Sequence, residues 1–178
     1  GGCGSSDTID VIVNPLPNVD GGPDQFICEG DAVTLTGTGA TGGSPTYVWS
    51  NGVTDGVPFV PAVGTTTYEV IGTDGNGCEN SDEVELVVNP TPSVNFLATE
   101  DTTCVEAGSV LLIGTPSGGT FTGTGVSGNS FSPSISGIGQ FDIQYSYTNS
   151  NGCTGLEIQT IVVENCSSIG ENELANVQ

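Results

Sequence analysis

CENSDEVELVVNPTPSV, residues 78–94, decides how this chain is read. Val84, Leu86 and Val88 fall on one side of an extended backbone, and Glu83, Glu85 and Val87 on the other. That alternation is the period of a half-buried β-strand. Asn89-Pro90-Thr91-Pro92 then stops it, because proline fixes φ and holds the preceding residue extended. The same pattern begins at Cys3 (CGSSDTIDVIVNPLPNV) and again at Cys153 (CTGLEIQTIVVEN), a spacing of 75 residues in both cases. Ser6 and Ser81, Asp7 and Asp82, Asn14 and Asn89, Pro15 and Pro90, and Pro17 and Pro92 are in register, as are Val13, Val88 and Val163. A fixed period of this length marks an array of similar modules. Residue 1 is expected to lie inside one of them, of which residues 1–18 supply the last strand and linker.

Composition narrows the function classes. The 178 residues include no Lys, Arg or His, against 21 Asp and Glu. An ordinary domain of this length carries about 20 basic residues. Binding to nucleic acid or to an anionic membrane surface is excluded, since nothing neutralises phosphate. Packing, backbone hydrogen bonds and disulfides must hold the fold, and trypsin-like proteases find no cleavage site, which suits an extracellular location. The net charge of −21 favours solubility. No apolar run reaches 18 residues, so no membrane insertion is expected. There is no signal peptide, and a mature or excised segment is the reading.

Six cysteines in such a chain indicate an oxidising compartment. By spacing, the expected disulfides are Cys28–Cys78 and Cys104–Cys153, separated by 50 and 49 residues and each linking the start of a module to its last hairpin. Free thiols and a zinc site are the alternatives; the absence of CxxC and of His weighs against zinc. Cys3 and Cys166 remain, as candidates for a disulfide between chains.

Along the chain, strands are expected at 31–37, 46–50, 66–74 and 81–88 in the first module. In the second they are expected at 109–114, 119–123, 129–133, 139–149 and 156–163. Asn51-Gly52, Asn76-Gly77 and Asn151-Gly152 mark tight turns. Trp49, mid-strand, is the expected core anchor against the first disulfide. The fold class is therefore all-β, tandem Ig-like antiparallel β-sandwich domains: 19–92 and 93–165, preceded by 1–18 and followed by a tail, 166–178. The Pro-rich linkers are short, semi-rigid spacers.

GPDQFICEGDAVTLTGTG, YVWSNGVTDGVPFVP, TTTYEVIGTDGNGC and VELVVNPTP resemble the Ig-like (PKD-like) repeats of large cell-surface proteins of Bacteroidota. GGTFTGTGVSGNSFSP with YSYTNSNGC resembles a variant repeat of the same proteins. The tail CSSIGENELANVQ is similar to the stretch before a type IX secretion sorting domain, which implies export and a processed end near Gln178. Asp7-Thr8-Ile9 and Asp101-Thr102-Thr103 resemble the O-glycosylation acceptor of that phylum. Of the two candidates, Thr102 is preferred to Thr8 because it falls in a loop-like stretch.

Chemistry is scarce. Without His or Lys there is no ordinary general base, Schiff base or nucleophile activator. A carboxylate pair is the one catalytic route left, and no pair stands out. Gly37–Gly43 is Gly-rich, with no Lys and no following helix. Calcium is the one cofactor considered, on Asp20, Asp24, Glu29 and Asp31 at one module boundary and Glu100, Asp101 and Glu106 at the next. A solvated acidic surface is the stronger reading.

The expected function is that of a non-enzymatic extracellular structural protein, in a bacterial surface filament, stalk or adhesin. Its partners are neighbouring copies of itself or adjacent repeats. In the sharper form the N-terminal strand is donated to a neighbouring subunit and Cys3–Cys166 locks a head-to-tail polymer; the stronger reading of that strand is a chain cut from a longer repeat protein, with Cys3 parted from its partner. The alternative is a carbohydrate- or protein-binding accessory module of a secreted enzyme.

Overall fold

A computed structural model describes residues 1–166; the tail from 167 on lies outside them, and with it most of the stretch that resembles a sorting-domain boundary. The chain divides into two compact units, Gly1–Asn89 and Pro90–Gln178.

Unit 1 contains β1 (Gln25–Cys28), β2 (Thr46–Trp49), β3 (Gly64–Thr73) and β4 (Glu79–Asn89). They form one sheet in the order β1-β4-β3-β2. β3 and β4 are an antiparallel hairpin running from Gly64↔Val88 to Thr73↔Glu79. β1, which the sequence reading did not single out, pairs parallel with β4, Gln25 opposite Leu86 and Cys28 opposite Asn89. The stretch 31–37 alternates as expected: Val33 and Leu35 are buried while Thr34 and Thr36 are exposed. It is tied to the rest by the isolated bridge Val33↔Phe59 rather than by a ladder, and Asp20↔Thr38 forms a second such bridge.

The alternation of β4 sorts its side chains as expected, Val84, Leu86 and Val88 inward and Glu83 and Glu85 outward. They pack with Val19, Val33, Leu35, Trp49, Tyr68 and Val70. Trp49 is the buried aromatic of this core, and its indole N–H is satisfied by Asp55 Oδ1 at 2.8 Å. The Asn51-Gly52 turn has positive φ at both residues, 57° and 74°. Both values lie in the left-handed region that Asn and Gly tolerate best.

Unit 2 contains two sheets. One has β5 (Asn95–Ala98), β7 (Val110–Thr115), β10 (Ser130–Phe131) and β9 (Val126–Ser127), in that order. The other has β6 (Thr102–Cys104), β12 (Thr154–Glu164), β11 (Gly139–Thr148) and β8 (Thr120–Thr122). A one-turn helix, α1 (Pro133–Ser136), follows β10. β6 repeats the role of β1, pairing parallel with the last strand, Cys104 opposite Glu164. Between the sheets lie Phe96, Val110, Leu112, Phe121, Phe131, Ile143, Tyr145, Ile161 and Val163. Both units are all-β and Ig-like; the parallel first strand is the departure from an entirely antiparallel sheet.

Candidate functional site

The cysteines depart furthest from expectation. Cys28 lies opposite Asn89, at the far end of β4, while Cys78 directly precedes β4. Eleven residues separate positions 78 and 89. An extended strand of that length spans about 36 Å. A disulfide needs Cα atoms within about 7 Å, so Cys28–Cys78 does not form. Cys78 carries a free thiol, and Cys28 is a half-cystine.

Unit 2 repeats the geometry. Cys104 faces Glu164, whereas Cys153 precedes β12 at its other end. Cys166, two residues beyond Glu164, bonds Cys104 with a Cα–Cα distance of 5.5 Å. The expected Cys104–Cys153 pair is thus replaced by Cys104–Cys166, although Cys153 is a half-cystine too. Cys166 is committed within its own unit, which removes the Cys3–Cys166 link between chains. Cys3 is an exposed free thiol.

The hairpin before each last strand is built alike. Asp74 Oδ1 accepts the N–H groups of Asn76 and Cys78, both at 2.8 Å. At the equivalent position Asn149 Oδ1 accepts those of Asn151 and Cys153, both at 3.0 Å. The Cys78 N–H holds the Asp74 carboxyl below its usual pKa, burial works against it, and hydrogen bonds from Asn76 and Gly77 add to the lowering.

Five further aspartates are spent in the same manner. Asp20 Oδ1 accepts from Gly22 N at 2.8 Å, Asp24 Oδ1 from Glu85 N at 2.8 Å, and Asp31 Oδ2 from Cys28 N at 3.1 Å. Asp82 Oδ2 accepts from Gly21 N at 2.8 Å. Asp55 Oδ1 takes both Gly37 N, at 2.7 Å, and the Trp49 indole. Glu100 and Asp101 are exposed. Among the described residues no three His, Cys, Asp or Glu side chains gather closely enough to hold a metal. The calcium candidates are not brought together as one ligand set.

Two surface depressions stand out. One, of about 240 Å³ in unit 2, is lined by Leu111, Ile113, Gly118, Phe121, Asn129 and Tyr145 among others. Tyr145 donates its hydroxyl hydrogen to Pro116 O and accepts from Gly119 N at 2.9 Å, so it is a structural group there. The other, about 320 Å³, lies on the outer face of the β3–β4 hairpin and includes Glu69 and Glu79. It carries the only carboxylates that either depression offers.

Thr8 is exposed, in a segment without regular structure. Thr102 is exposed as well, but it begins β6 opposite Val162 rather than lying in a loop. Among the aromatics, Phe121 and Phe131 are buried, Tyr47 and Phe59 are half-buried, and Phe26 on β1 is 72% exposed. Sequence reasoning missed Phe26 because β1 is only four residues long. No helix among the described residues is long and apolar enough to cross a membrane.

No protein-family model matches the chain, and no curated protein matches it. Solved structures give distant likenesses. The N-terminal Ig1-2 module of the Drosophila receptor protein tyrosine phosphatase DLAR is 17% identical, with 84% of this chain and all of that one covered, at a TM-score of 0.33. The fibronectin(III)-like modules of Clostridium thermocellum CbhA are 14% identical over 84% of this chain and 95% of that one, at 0.37. Drosophila N-cadherin EC1-4 is 9% identical over 85% and 50%, at 0.34. Scores this low carry no argument about function, and the Ig-like assignment rests on the strands, pairings and cores described above.

Proposed function

We propose that the chain is a non-enzymatic extracellular structural protein, a run of Ig-like modules belonging to a bacterial surface stalk, filament or adhesin. The observation that carries this reading is the employment of the acids. Asp20, Asp24, Asp31, Asp55, Asp74 and Asp82 each accept a backbone N–H. They are consumed in fixing turns and strand entries. With no His, Lys or Arg, the acid–base groups that remain are mainly glutamates, tyrosines and the thiols of Cys3 and Cys78. A disulfide closing a 62-residue loop suits an oxidising, extracellular setting. The resemblance to Bacteroidota surface repeats supports a place on such a surface, reached by type IX secretion, with neighbouring repeats, surface proteins or glycans as partners.

Glu69 and Glu79 are where this reading is most exposed to test. Purified protein is assayed against a panel of glycoside and peptide substrates. No turnover is expected. A hydrolase activity abolished by Glu69→Gln or Glu79→Gln would overturn the proposal.

The exposed Phe26 and the groove beside Asn129 and Leu111 favour a second reading, a glycan- or protein-binding accessory module. Binding on a glycan array that Phe26→Ala or Asn129→Ala removes would select it.

A further inference from the structure

The stretch 31–38 of unit 1 is paired along one side and open along the other. Val33 exchanges both backbone hydrogen bonds with Phe59, at 2.9 Å each, and Leu35 O accepts from Gly56 N at 2.9 Å. In an extended chain the N–H and C=O groups of alternate residues point to opposite edges. Those of Thr34, Thr36 and Thr38 therefore point the other way. Thr38 meets Asp20 there, in bonds of 2.8 and 3.1 Å. Gly22, at φ 91°, then turns the neighbouring chain away toward β1. Thr34 and Thr36 are exposed, and their backbone groups have no hydrogen-bond partner among the described residues.

Unit 2 shows what fits such a place. β7 has the same pattern, with Val110 and Leu112 buried and Leu111 and Ile113 exposed. Its matching edge is covered by β5, Leu97 opposite Ile113 and Ala98 opposite Leu112, and Thr99 N bonds Leu111 O at 3.1 Å. A small side chain thus lies over the buried leucine. In unit 1 that leucine is Leu35, 1% exposed.

We propose that the Thr34–Thr36 edge docks an extended, cationic segment of another protein, added as one more strand. Charge selects this partner. Asp31 stands at one end of the open edge and Asp20, opposite Thr38, at the other, about 23 Å away along the strand. Both are exposed, and each spends one oxygen on a backbone N–H. Residues 32–37 between them carry no charge, and the chain has no Lys or Arg to offset the two carboxylates. A second copy brings a further net charge of −21 instead. The fitting segment has Lys or Arg at its ends, a small residue over Leu35 and β-branched residues beside Thr34 and Thr36. The inference goes beyond the functional proposal and does not rest on it, since a stalk and a binding module would carry such an edge equally.

The probe is acetyl-Lys-Thr-Val-Ala-Val-Thr-Lys-amide, titrated into the full chain and followed by amide NMR shifts and hydrogen exchange. Shifts are expected at residues 32–38, and exchange at Thr34 and Thr36 should slow by about tenfold or more at saturation. The same peptide with Glu at both ends should bind about tenfold more weakly or worse. So should the Lys-ended peptide with the Asp20→Asn/Asp31→Asn variant, which keeps both N–H acceptors; the amides of β3 and β4 report whether that variant is folded. Methylating both valine nitrogens of the peptide should abolish binding, because those N–H groups pair with the edge. An absence of shifts at 32–38 overturns the proposal, and so does equal binding of the Glu-ended or methylated peptide. Slow exchange at Thr34 and Thr36 without peptide overturns it too. If it grows with protein concentration, a second copy is the partner; if it does not, the edge is closed within unit 1.

Discussion

The Cys104–Cys166 bond gives the sharpest quantitative test, because position along the chain alone had pointed to a different pair. β6 is an edge strand of three residues, held to β12 by the pairs Thr102↔Val162, Thr103↔Val163 and Cys104↔Glu164. So short a strand has little hydrogen bonding of its own, and the disulfide pins it at its last residue. The bond spans 62 residues. Closing a loop of that length stabilises the fold by about 4 kcal/mol in the chain-entropy account. For a unit of this size the loss shifts the melting temperature down by roughly 15–30 °C. Cys104→Ser, Cys166→Ser and the double variant are to be compared by calorimetry, with Trp49 fluorescence following unit 1 separately. If the two sulfurs share one bond, the double variant is no less stable than either single one, since the second substitution removes nothing more. Additive losses would refute the pairing. So would a Cys166→Ser variant as stable as the parent beside a strongly destabilised Cys104→Ser. β6 is the element that should respond first, so the Val105 N–H, bonded to Glu164 O at 2.8 Å, should lose its exchange protection in all three variants.

Thr103 on the same strand is 5% exposed and its hydroxyl has no partner among the described residues, so Thr103→Val should stabilise unit 2 by about 1 kcal/mol in urea unfolding; a loss of that size would reveal a bonded hydroxyl. Tyr145→Phe removes the hydroxyl that serves Pro116 O and Gly119 N inside a packed core. It should cost roughly 1–3 kcal/mol in the same assay, and a neutral result would mean water replaces both bonds at no cost. The Asp74 carboxyl, held below its ordinary value of 3.8, contributes stability that is in place above that value and is lost as the pH falls through the lower, folded one. Asp74→Asn copies Asn149 and keeps the two N–H acceptor contacts without the charge, so the urea midpoint of unit 1, read by Trp49 fluorescence, should fall less steeply below about pH 4 in the variant. An acid limb as steep as the parent's would mean other carboxyls govern it.

What could be read from the sequence depended on strand length. β3, β4, β11 and β12 are ten or eleven residues long, and their alternation is dense enough to set both the strand and its buried face. Trp49 lies on β2, itself only four residues long, and was legible as a core residue because it is the one Trp and has strand-like neighbours. β1 and β6, at four and three residues, hold too few positions for a period to show. Their parallel pairing to the last strand is a long-range choice that no local pattern encodes. That single omission accounts for both misplaced disulfides. With the first strand antiparallel to the last, Cys28 would meet the start of β4, where Cys78 stands; parallel, it meets Asn89. Cys166 had a readable signal in hindsight, because it follows β12 by two residues on the side where β6 ends. The preference for Thr102 as a loop residue failed on the same short strand.

The lack of cations also explains how the acids are used. An aspartate in this chain has no Lys or Arg side chain to pair with, so near the protein surface its energy is lowered by water, by an N–H group or, at Asp142, by the Thr160 hydroxyl at 2.6 Å. Its side chain is short, so the N–H groups in reach are those of its own turn or of the strand packed beside it. Asp20, Asp31 and Asp74 bond within four residues; Asp24 and Asp82 reach across to the backbone of Glu85 and Gly21. Each such bond fixes a bend or the entry to a sheet. Glutamate, one methylene longer, instead lines the outer faces of β3 and β4 at Glu69, Glu79, Glu83 and Glu85. The division leaves glutamate charge on the outer faces and hydrogen-bonded aspartates at the turns.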